Sequence, residues 1–276
     1  MTTYIAAYDT EHPACLKALP KIVDIHERFE MPATFFLVAR LLDDGEQVCR
    51  RLLGDNPLFE IGCHSYTHAI LRDHGVGGKP VPKDQYFREV VESKERIEQV
   101  FGREVFGFRP PYSFSTGLCG APDLLSLCDR AGYRYISSMA WGPGDSLPAL
   151  VNRPFTYAED GFPGLWEIPP CGWHDNVLKG NTKLEKHPLV LFPAPMPEAV
   201  PTGYVATPEE EFAVDRLFID KAVNDGVPQV SLIWHPWSID KFDPEMKMLE
   251  LVFSYVCERG LGASTFADFV DALRTA

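Results

Sequence analysis

Short apolar runs rich in β-branched and aromatic residues alternate with amphipathic stretches along the whole chain. Strands are predicted at residues 4–8, 34–38, 59–63, 106–108, 135–138, 165–168 and 230–234. Helices are predicted between them at residues 15–29, 46–53, 83–101, 121–131, 208–224 and 244–258. This alternation predicts an α/β fold, in which helices cover a mostly parallel sheet that is either a barrel or an open doubly wound sheet.

The chain has 276 residues, of which 45% are hydrophobic, so it can bury a large core. Because α/β barrels of this length are routinely single domains, we expect one domain over residues 1–276. Residues 169–207 interrupt the alternation with a segment rich in proline and glycine. We expect a long insertion there that covers the substrate, with a plain surface excursion as the alternative. A terminal helix is predicted over residues 265–273, with Thr265 as N-cap and Asp268 in the first turn.

The formal net charge of −13 and the lack of a lysine or arginine cluster argue against nucleic acid as a partner. A neutral or cationic substrate is favoured instead. The seven cysteines include no CxxC pair, which predicts reduced thiols rather than a disulfide framework. No basic-then-apolar leader and no apolar run of membrane-spanning length are present, so we expect a cytoplasmic protein without a membrane span. Nothing in the pattern predicts an oligomeric state.

Chemically reactive side chains follow four of the predicted strands. Asp9 follows the first strand, His64 the third, Arg109 the fourth and His235 the last. In parallel barrels the loops after the strands converge at one edge and carry the active site. We therefore expect these four side chains to lie close together.

Two histidines and two acids in these positions indicate a metal site. His64 and His68 are four residues apart, so a helical turn beginning at His64 would place both imidazoles on one face. Asp9 and Glu11 follow the first strand. Two imidazoles and one carboxylate suit zinc or another divalent first-row metal with an open position. Either acid can be the ligand, and the other is then available as general base; the alternatives are buried structural histidines and solvated carboxylates.

Arg109 and His235 complete a set of side chains suited to amide hydrolysis. The prolines that follow Arg109 stiffen a turn that would direct its guanidinium at a carboxylate, which it would keep ionised, or at a substrate. His235 follows an apolar strand and can donate a proton to a leaving amine. Taken singly, each residue is equally explained by an internal ion pair or a core histidine.

The sequence resembles the polysaccharide deacetylase family, also called the NodB homology domain or carbohydrate esterase family four. The resemblance rests on residues 32–36 (PATFF), 60–68 (EIGCHSYTH), 109–112 (RPPY) and 232–235 (LIWH), which occur in the family's order. It covers residues 4–138 and 228–270. It implies a distorted (β/α) barrel of about seven parallel strands that forms a single NodB-like domain, and a metal-dependent N-deacetylase.

The resemblance also assigns roles to the metal-site residues. Asp9 would be the base and His235 the acid, with Arg109 holding the base ionised. The family usually has two adjacent aspartates at this point, but Thr10 stands in the second place and Glu11 supplies a carboxylate one residue later. Glu11 is therefore the preferred ligand, together with His64 and His68, for a divalent metal that we expect to be zinc; Asp9 remains the alternative.

The expected substrate is a small or carrier-linked N-acylated sugar, with Tyr112 and Trp173 binding it by stacking. An aspartate usually orients the acidic histidine in the family, and Asp145 and Asp175 are the candidates here. Three alternatives remain open at this point. They are a metal-independent hydrolase of ring ureides, a catalytically silent carbohydrate-binding relative, and a non-haem iron oxygenase, which uses the same ligand set.

Overall fold

The computed structural model of the protein describes residues 1–181 and 194–275. The strands are β1 (Thr3–Tyr4), β2 (Ala6–Thr10), β3 (Ala33–Leu37), β4 (Phe59–Cys63), β5 (Gly107–Phe108), β6 (Tyr135–Ile136), β7 (Phe155–Tyr157), β8 (Phe162–Glu167), β9 (Gln229–Val230) and β10 (Gly262–Ala263). The α-helices are α1 (Pro13–Phe29), α2 (Leu42–Cys49), α3 (Ser93–Phe101), α4 (Pro122–Arg130), α5 (Asp175–Leu178), α6 (Pro208–Asn224), α7 (Pro236–Phe242), α8 (Lys247–Glu258) and α9 (Phe266–Thr275).

The main sheet has seven strands in the order β2-β3-β4-β5-β6-β8-β7 and is parallel except at β7. Just before β2, β1 lies between β9 and β10 and pairs with both in parallel. The predicted α/β fold with a mostly parallel sheet of seven strands is confirmed. The five residues of β2 and of β3 are all buried, as expected for parallel strands covered on both faces.

Backbone hydrogen bonds close this sheet into a distorted barrel. The N–H of Cys171, beyond the end of β8, donates to the carbonyl of Ser231 over 2.8 Å. The N–H of Asp9 donates in turn to the carbonyl of Trp234 over 2.8 Å. The segment that follows β9 therefore bridges β2 and the chain just beyond β8.

Helix α9 packs against the inward-facing side chains of the barrel. Its buried residues Phe266, Phe269 and Val270 form one apolar cluster with Ile5, which links β1 to β2, and with Ala7 of β2. Side chains alternate along a strand, so Asp9 points to the same side as Ile5 and Ala7. The interior of the barrel is thus filled with apolar groups at one end, and the first acidic residue lies at the other.

Helix boundaries follow local signals in the sequence. In α6 the Thr207 hydroxyl accepts the N–H of Glu210 over 3.2 Å, and Pro208 occupies the first helical position. The predicted helix over residues 208–224 and the predicted strand over 59–63 are confirmed to the residue. The predicted strand over 230–234 is shorter, because its later residues pair only as isolated bridges. The helix over 83–101 is divided into a 3-10 turn, a π-helical turn and α3.

The segment 169–207 is packed against the protein over most of the length that the structure describes. Its buried residues include Cys171, Trp173, Leu178, Met196, Ala199 and Val205. The prediction of a surface excursion is therefore wrong for residues 169–181 and 194–207; the rest of the segment lies outside the described residues. The single domain over residues 1–276 stays a prediction. Within the described ranges, no helix has the length and apolarity that crossing a membrane requires.

We predict that Thr265→Ala lowers the free energy of unfolding by about 1 kcal/mol, because it removes the N-cap of α9. The Thr265 hydroxyl accepts the N–H of Asp268 over 3.1 Å, which confirms the predicted cap. Urea denaturation measures the change. The control is Thr275→Ala at the exposed end of the same helix, where we expect a change within about 0.5 kcal/mol. Equal losses in the two variants would contradict the capping role.

Candidate metal and catalytic site

A cavity of about 640 Å³ opens at the carboxyl ends of the barrel strands. Among the described residues it is lined by Asp9, Glu11, His12, His64, His68, Tyr112, Ser113, Trp141, His174, Asn176, Val177, Asn181, His235 and Trp237. The strand ends that were expected to converge therefore do so. Three of the four reactive side chains line the cavity directly, and Arg109 lies beneath it, bonded to one of them.

Glu11, His64 and His68 come together as a possible metal site. Their ligand atoms all lie within 4.8 Å of one another. Oε2 of Glu11 is 2.7 Å from Nε2 of His68 and 3.7 Å from Nε2 of His64. Two imidazole nitrogens and one carboxylate oxygen are a donor set that suits zinc and similar divalent ions.

The hydrogen bonding of His64 prepares it for this role. Its Nδ1 lies 2.7 Å from the carbonyl oxygen of Arg109. A carbonyl oxygen only accepts, so Nδ1 carries the proton and Nε2 keeps its lone pair, directed at Glu11. Metal-binding histidines are commonly oriented by such a bond from their second nitrogen. The residues present thus fit a divalent metal.

A loop, rather than the predicted helical turn, positions the two histidines. Ser65 and His68 have positive φ angles of 66° and 64°, so the chain leaves β4 in a left-handed bend. The Ser65 hydroxyl accepts the N–H of His68 over 3.0 Å. Buried Glu89 accepts the N–H groups of Tyr66 and Thr67 over 3.0 and 2.9 Å. The helical turn is therefore wrong, yet the loop brings both imidazoles to the same point.

Asp9 is held by a buried arginine, as the sequence predicted. Nη1 of Arg109 donates to Oδ1 of Asp9 over 2.9 Å, and Nη2 donates to Ser137 Oγ over 3.0 Å. Arg109 is only 1% exposed, and its guanidinium lies 4.3 Å from the ring centroid of Phe36. Burial alone raises the pKa of Asp9, but the charge of the neighbouring Arg109 outweighs burial and holds that pKa below its usual value.

Glu11 has a different partner on each carboxylate oxygen. Oε2 faces the two histidines, whereas Oε1 accepts the indole N–H of Trp237 over 3.0 Å. Burial raises the pKa of Glu11, but the charge of His235 and the neighbouring imidazoles lower it well below its usual value. The carboxylate is therefore ionised, as a metal ligand must be.

His235 is oriented by an aspartate. Its Nδ1 lies 2.6 Å from Oδ1 of Asp175, and its Nε2 lies 4.0 Å from Oδ2 of Asp9 and 3.9 Å from Oε1 of Glu11. Burial lowers the pKa of His235, but Glu11, Asp175 and Asp9 together raise it to about 9. With Nδ1 bonded to Asp175, the second N–H of the imidazolium is directed toward the cavity.

Asp175, and not Asp145, is thus the aspartate that pairs with His235. Asp145 accepts a backbone N–H from Gly75. Oδ2 of Asp175 lies 2.8 Å from Nζ of Lys179, a buried residue that the sequence analysis did not single out. Burial raises the pKa of Asp175, but Lys179 and His235 lower it to about 2. Asp175 is therefore an anion that bridges two cations.

Of the two aromatic residues expected to bind substrate, only Tyr112 lines the cavity. It is 38% exposed. Trp173 is 2% exposed and donates its indole N–H to the carbonyl of Ala199 over 2.8 Å, so the expected contact with substrate is wrong for this residue. The next residue, His174, lines the cavity instead. Sequence analysis passed over it because a lone histidine in an irregular segment carries no pattern.

A family model described as polysaccharide deacetylase matches residues 8–136, just under half of the chain. The chain is 27% identical over 97 residues to a peptidoglycan-N-acetylglucosamine deacetylase of Bacillus cereus, covering 35% of this chain and 32% of that protein. It is 33% identical over 70 residues to a chitooligosaccharide deacetylase of Rhizobium leguminosarum bv. phaseoli, covering 25% of this chain and 29% of that protein. These matches span about a third of the length of the curated relatives.

Solved structures share the fold at low sequence identity. A Mycobacterium smegmatis protein that is assigned as a polysaccharide deacetylase has a TM-score of 0.65 at 17% identity. The match covers 99% of this chain and 91% of that one. The Puue allantoinase has a TM-score of 0.64 at 12% identity, covering 98% and 88%. A carbohydrate esterase family four pseudoenzyme of Bacillus anthracis has a TM-score of 0.55 at 14% identity, covering 98% and 66%. The chain is thus similar in sequence to the polysaccharide deacetylase family over residues 8–136, and it shares its fold with these solved structures.

Proposed function

We propose that the protein is a metal-dependent hydrolase that removes an N-acetyl or similar acyl group from an amino sugar or a related amide. The observation that carries this proposal is the convergence of Glu11, His64 and His68 on one point of a cavity of about 640 Å³. A carboxylate and an imidazolium suited to opposite proton transfers, Asp9 and His235, line the same cavity. These are the groups that hydrolysis of an amide requires.

The proposed ligands are Glu11, His64 and His68, and the proposed ion is divalent, with zinc preferred for two nitrogens and one oxygen. Three protein ligands leave a position open. An ion bound there supplies Lewis-acid polarisation of the amide carbonyl. Glu11 is preferred to Asp9 as the ligand because Oε2 of Glu11 lies with the histidine nitrogens, whereas Oδ1 of Asp9 is bonded to Arg109.

Asp9 is the proposed general base. Its Oδ1 is occupied by Arg109, which leaves Oδ2 to accept a proton from the attacking water. The low pKa that Arg109 maintains keeps the carboxylate ionised and ready to accept. Arg109 acts through Asp9, and its burial prevents water from competing for the guanidinium.

His235 is the proposed general acid. Nδ1 is bound to Asp175, so the Nε2–H group gives its proton to the nitrogen that leaves as the amine. The residues just before Asp9 and His235, Tyr8 and Trp234, pair in an isolated parallel bridge. The two side chains therefore approach a bound amide from neighbouring segments, one removing a proton and the other supplying one.

The proposed substrate is a small or carrier-linked N-acylated sugar. The partly exposed aromatic side chains of Tyr112 and Trp237 line the cavity and offer faces on which a sugar ring can stack. The volume of about 640 Å³ lies within the range of small-molecule sites. The curated relatives are named for peptidoglycan N-acetylglucosamine and for chitooligosaccharide, which supports an acetylated amino sugar.

A second candidate is metal-independent hydrolysis of a ring ureide. The observation that favours it is Thr10, which stands where the family usually has an acidic ligand and is fully buried. A protein of this kind would bind no divalent ion at the histidines. The metal content of the purified protein therefore separates the two candidates. It also bears on the oxygenase alternative, which would contain iron and consume oxygen.

We expect protein purified without added metal to contain a single divalent ion per chain, and His64→Ala to lose it, because that variant removes a ligand. Elemental analysis by mass spectrometry measures the content. His12→Ala is the matched control, since His12 lines the same cavity but caps α1 by accepting the N–H of Ala14. Wild-type protein without metal would contradict the metal-dependent mechanism.

We expect Asp9→Asn to lower kcat by about 10²- to 10⁴-fold, because the amide cannot accept the proton from water. The metal content should stay at the wild-type level, since the metal is assigned to Glu11. Release of free amine from N-acetylglucosamine oligomers, with metal analysis of the same preparation, measures both. An unchanged kcat would contradict the role as base, and loss of the metal would make Asp9 the ligand.

We expect Lys179→Met to lower the free energy of unfolding by about 3–5 kcal/mol, because it leaves buried carboxylates without their cation. Nζ of Lys179 is 2.8 Å from Asp175 and 2.9 Å from Glu211, and the lysine side chain is fully buried. Lys221→Met is the matched control, because Lys221 pairs with Asp225 at the same spacing on the surface. There we expect about 0.3–0.5 kcal/mol. Similar losses in urea denaturation would show that burial of the lysine has no consequence.

A further inference from the structure

We infer that Trp237 is a positioning residue for the metal ligand Glu11. Its indole N–H binds one carboxylate oxygen and orients the carboxylate so that the other oxygen would hold the ion. This inference rests on the proposed metal site and adds to it a residue that restrains the carboxylate. Trp237 lines the cavity and is half-buried.

The two oxygens of Glu11 face different partners. Oε1 accepts the indole N–H of Trp237 over 3.0 Å. Oε2 lies 2.7 Å from Nε2 of His68 and 3.7 Å from Nε2 of His64. The carboxylate is therefore oriented with one oxygen on the indole and the other among the nitrogen ligands.

Glu11 needs such a restraint because of where it lies. It follows the end of β2, outside the strand, and a glutamate side chain has more rotatable bonds than an aspartate. Trp237 is well placed to supply the restraint, because it lies in the first turn of α7. That turn is bonded to the chain at His235, whose carbonyl accepts the N–H groups of Ser238 and Ile239 over 2.9 and 3.0 Å.

The start of α7 therefore positions both the proposed acid and the proposed metal ligand. The residue before α7, His235, carries the proton for the leaving amine, and Trp237 orients the ligand Glu11. The ring centroids of His235 and Trp237 are 6.2 Å apart. A displacement of this turn would disturb acid and ligand together.

The bond also determines how the carboxylate binds. An N–H donor on Oε1 favours binding of the ion through Oε2, so Glu11 would hold the ion through one oxygen. Removing the donor frees Oε1 either to bind as well or to move with the whole carboxylate. Loss of a residue that orients a metal ligand typically weakens metal binding by about 10- to 100-fold.

The test compares Trp237→Phe with Trp173→Phe. Both substitutions keep a ring and remove one indole N–H bond, but Trp173 donates to the carbonyl of Ala199 and does not bond to Glu11. Zinc affinity is measured by competition with a chromophoric chelator. We expect Trp237→Phe to bind zinc about 10- to 100-fold more weakly and Trp173→Phe to match the wild type.

The visible absorption of the cobalt-substituted proteins provides a second measurement, because cobalt absorbs more weakly as its coordination number rises. We expect a weaker spectrum for Trp237→Phe than for wild type if the second oxygen joins the ion. Unfolding of the metal-free forms detects any general loss of stability.

Equal zinc affinity in Trp237→Phe and wild type would overturn the inference while leaving the proposed metal site intact. Equal weakening in both tryptophan variants would also overturn it, because the effect would then be general to loss of an indole bond. A wild-type protein that binds no zinc would remove the proposed metal site itself. That result is read from the wild type alone, so the two failures are distinguishable.

Discussion

Arg109 contacts both parts of the candidate site at once. Its guanidinium donates to Asp9, and its carbonyl accepts the Nδ1–H of His64. A buried ion pair is costly unless its remaining polar groups are satisfied; here Ser137 accepts from the second guanidinium nitrogen, whereas Nε has no partner among the described residues. The ring of Phe36, 4.3 Å away, adds a cation–π contact. One residue thus orients the proposed base by its side chain and a proposed metal ligand by its backbone.

The charges around the cavity favour a deprotonated Asp9 and a protonated His235. Arg109 lowers the pKa of Asp9, whereas carboxylates raise the pKa of His235 to about 9. The proposed general acid, His235, pairs with Asp175, which in turn pairs with buried Lys179. Groups whose pKa values are displaced in opposite directions are typical of acid–base pairs. Each of these pKa shifts is caused by a neighbouring side chain that the barrel holds in place.

The strand ends could be predicted from the sequence because hydrophobic alternation locates parallel strands, and parallel strands end at one edge. The local shape of the loops could not. The bend after β4 depends on positive φ angles at Ser65 and His68. Positive φ is uncommon for residues other than glycine, so the sequence does not predict this bend. The spacing of His64 and His68 therefore predicted correctly that the two imidazoles lie together, but they are held by a loop and not by the predicted helical turn.

Contacts between segments that are far apart in the sequence could not be predicted either. Asp175 was one of two candidates because its bond to His235 joins residues 60 positions apart. Trp173 was assigned to the substrate, but His174 pairs with Ile233 in a parallel bridge, and neighbours on an extended segment point to opposite sides. His174 therefore faces the cavity and Trp173 the core. The bond between Trp237 and Glu11 had no signal in the sequence, since it depends on the closure of the barrel.

Glu11, and not Asp9, is proposed to complete the metal site with His64 and His68. Anomalous diffraction at the zinc absorption edge, from crystals grown with zinc, tests it most directly. We expect a single peak within bonding distance of Oε2 of Glu11 and Nε2 of each histidine, with Asp9 still bonded to Arg109. A peak bound by Asp9 in place of Glu11, or no peak at the histidines, would contradict the claim.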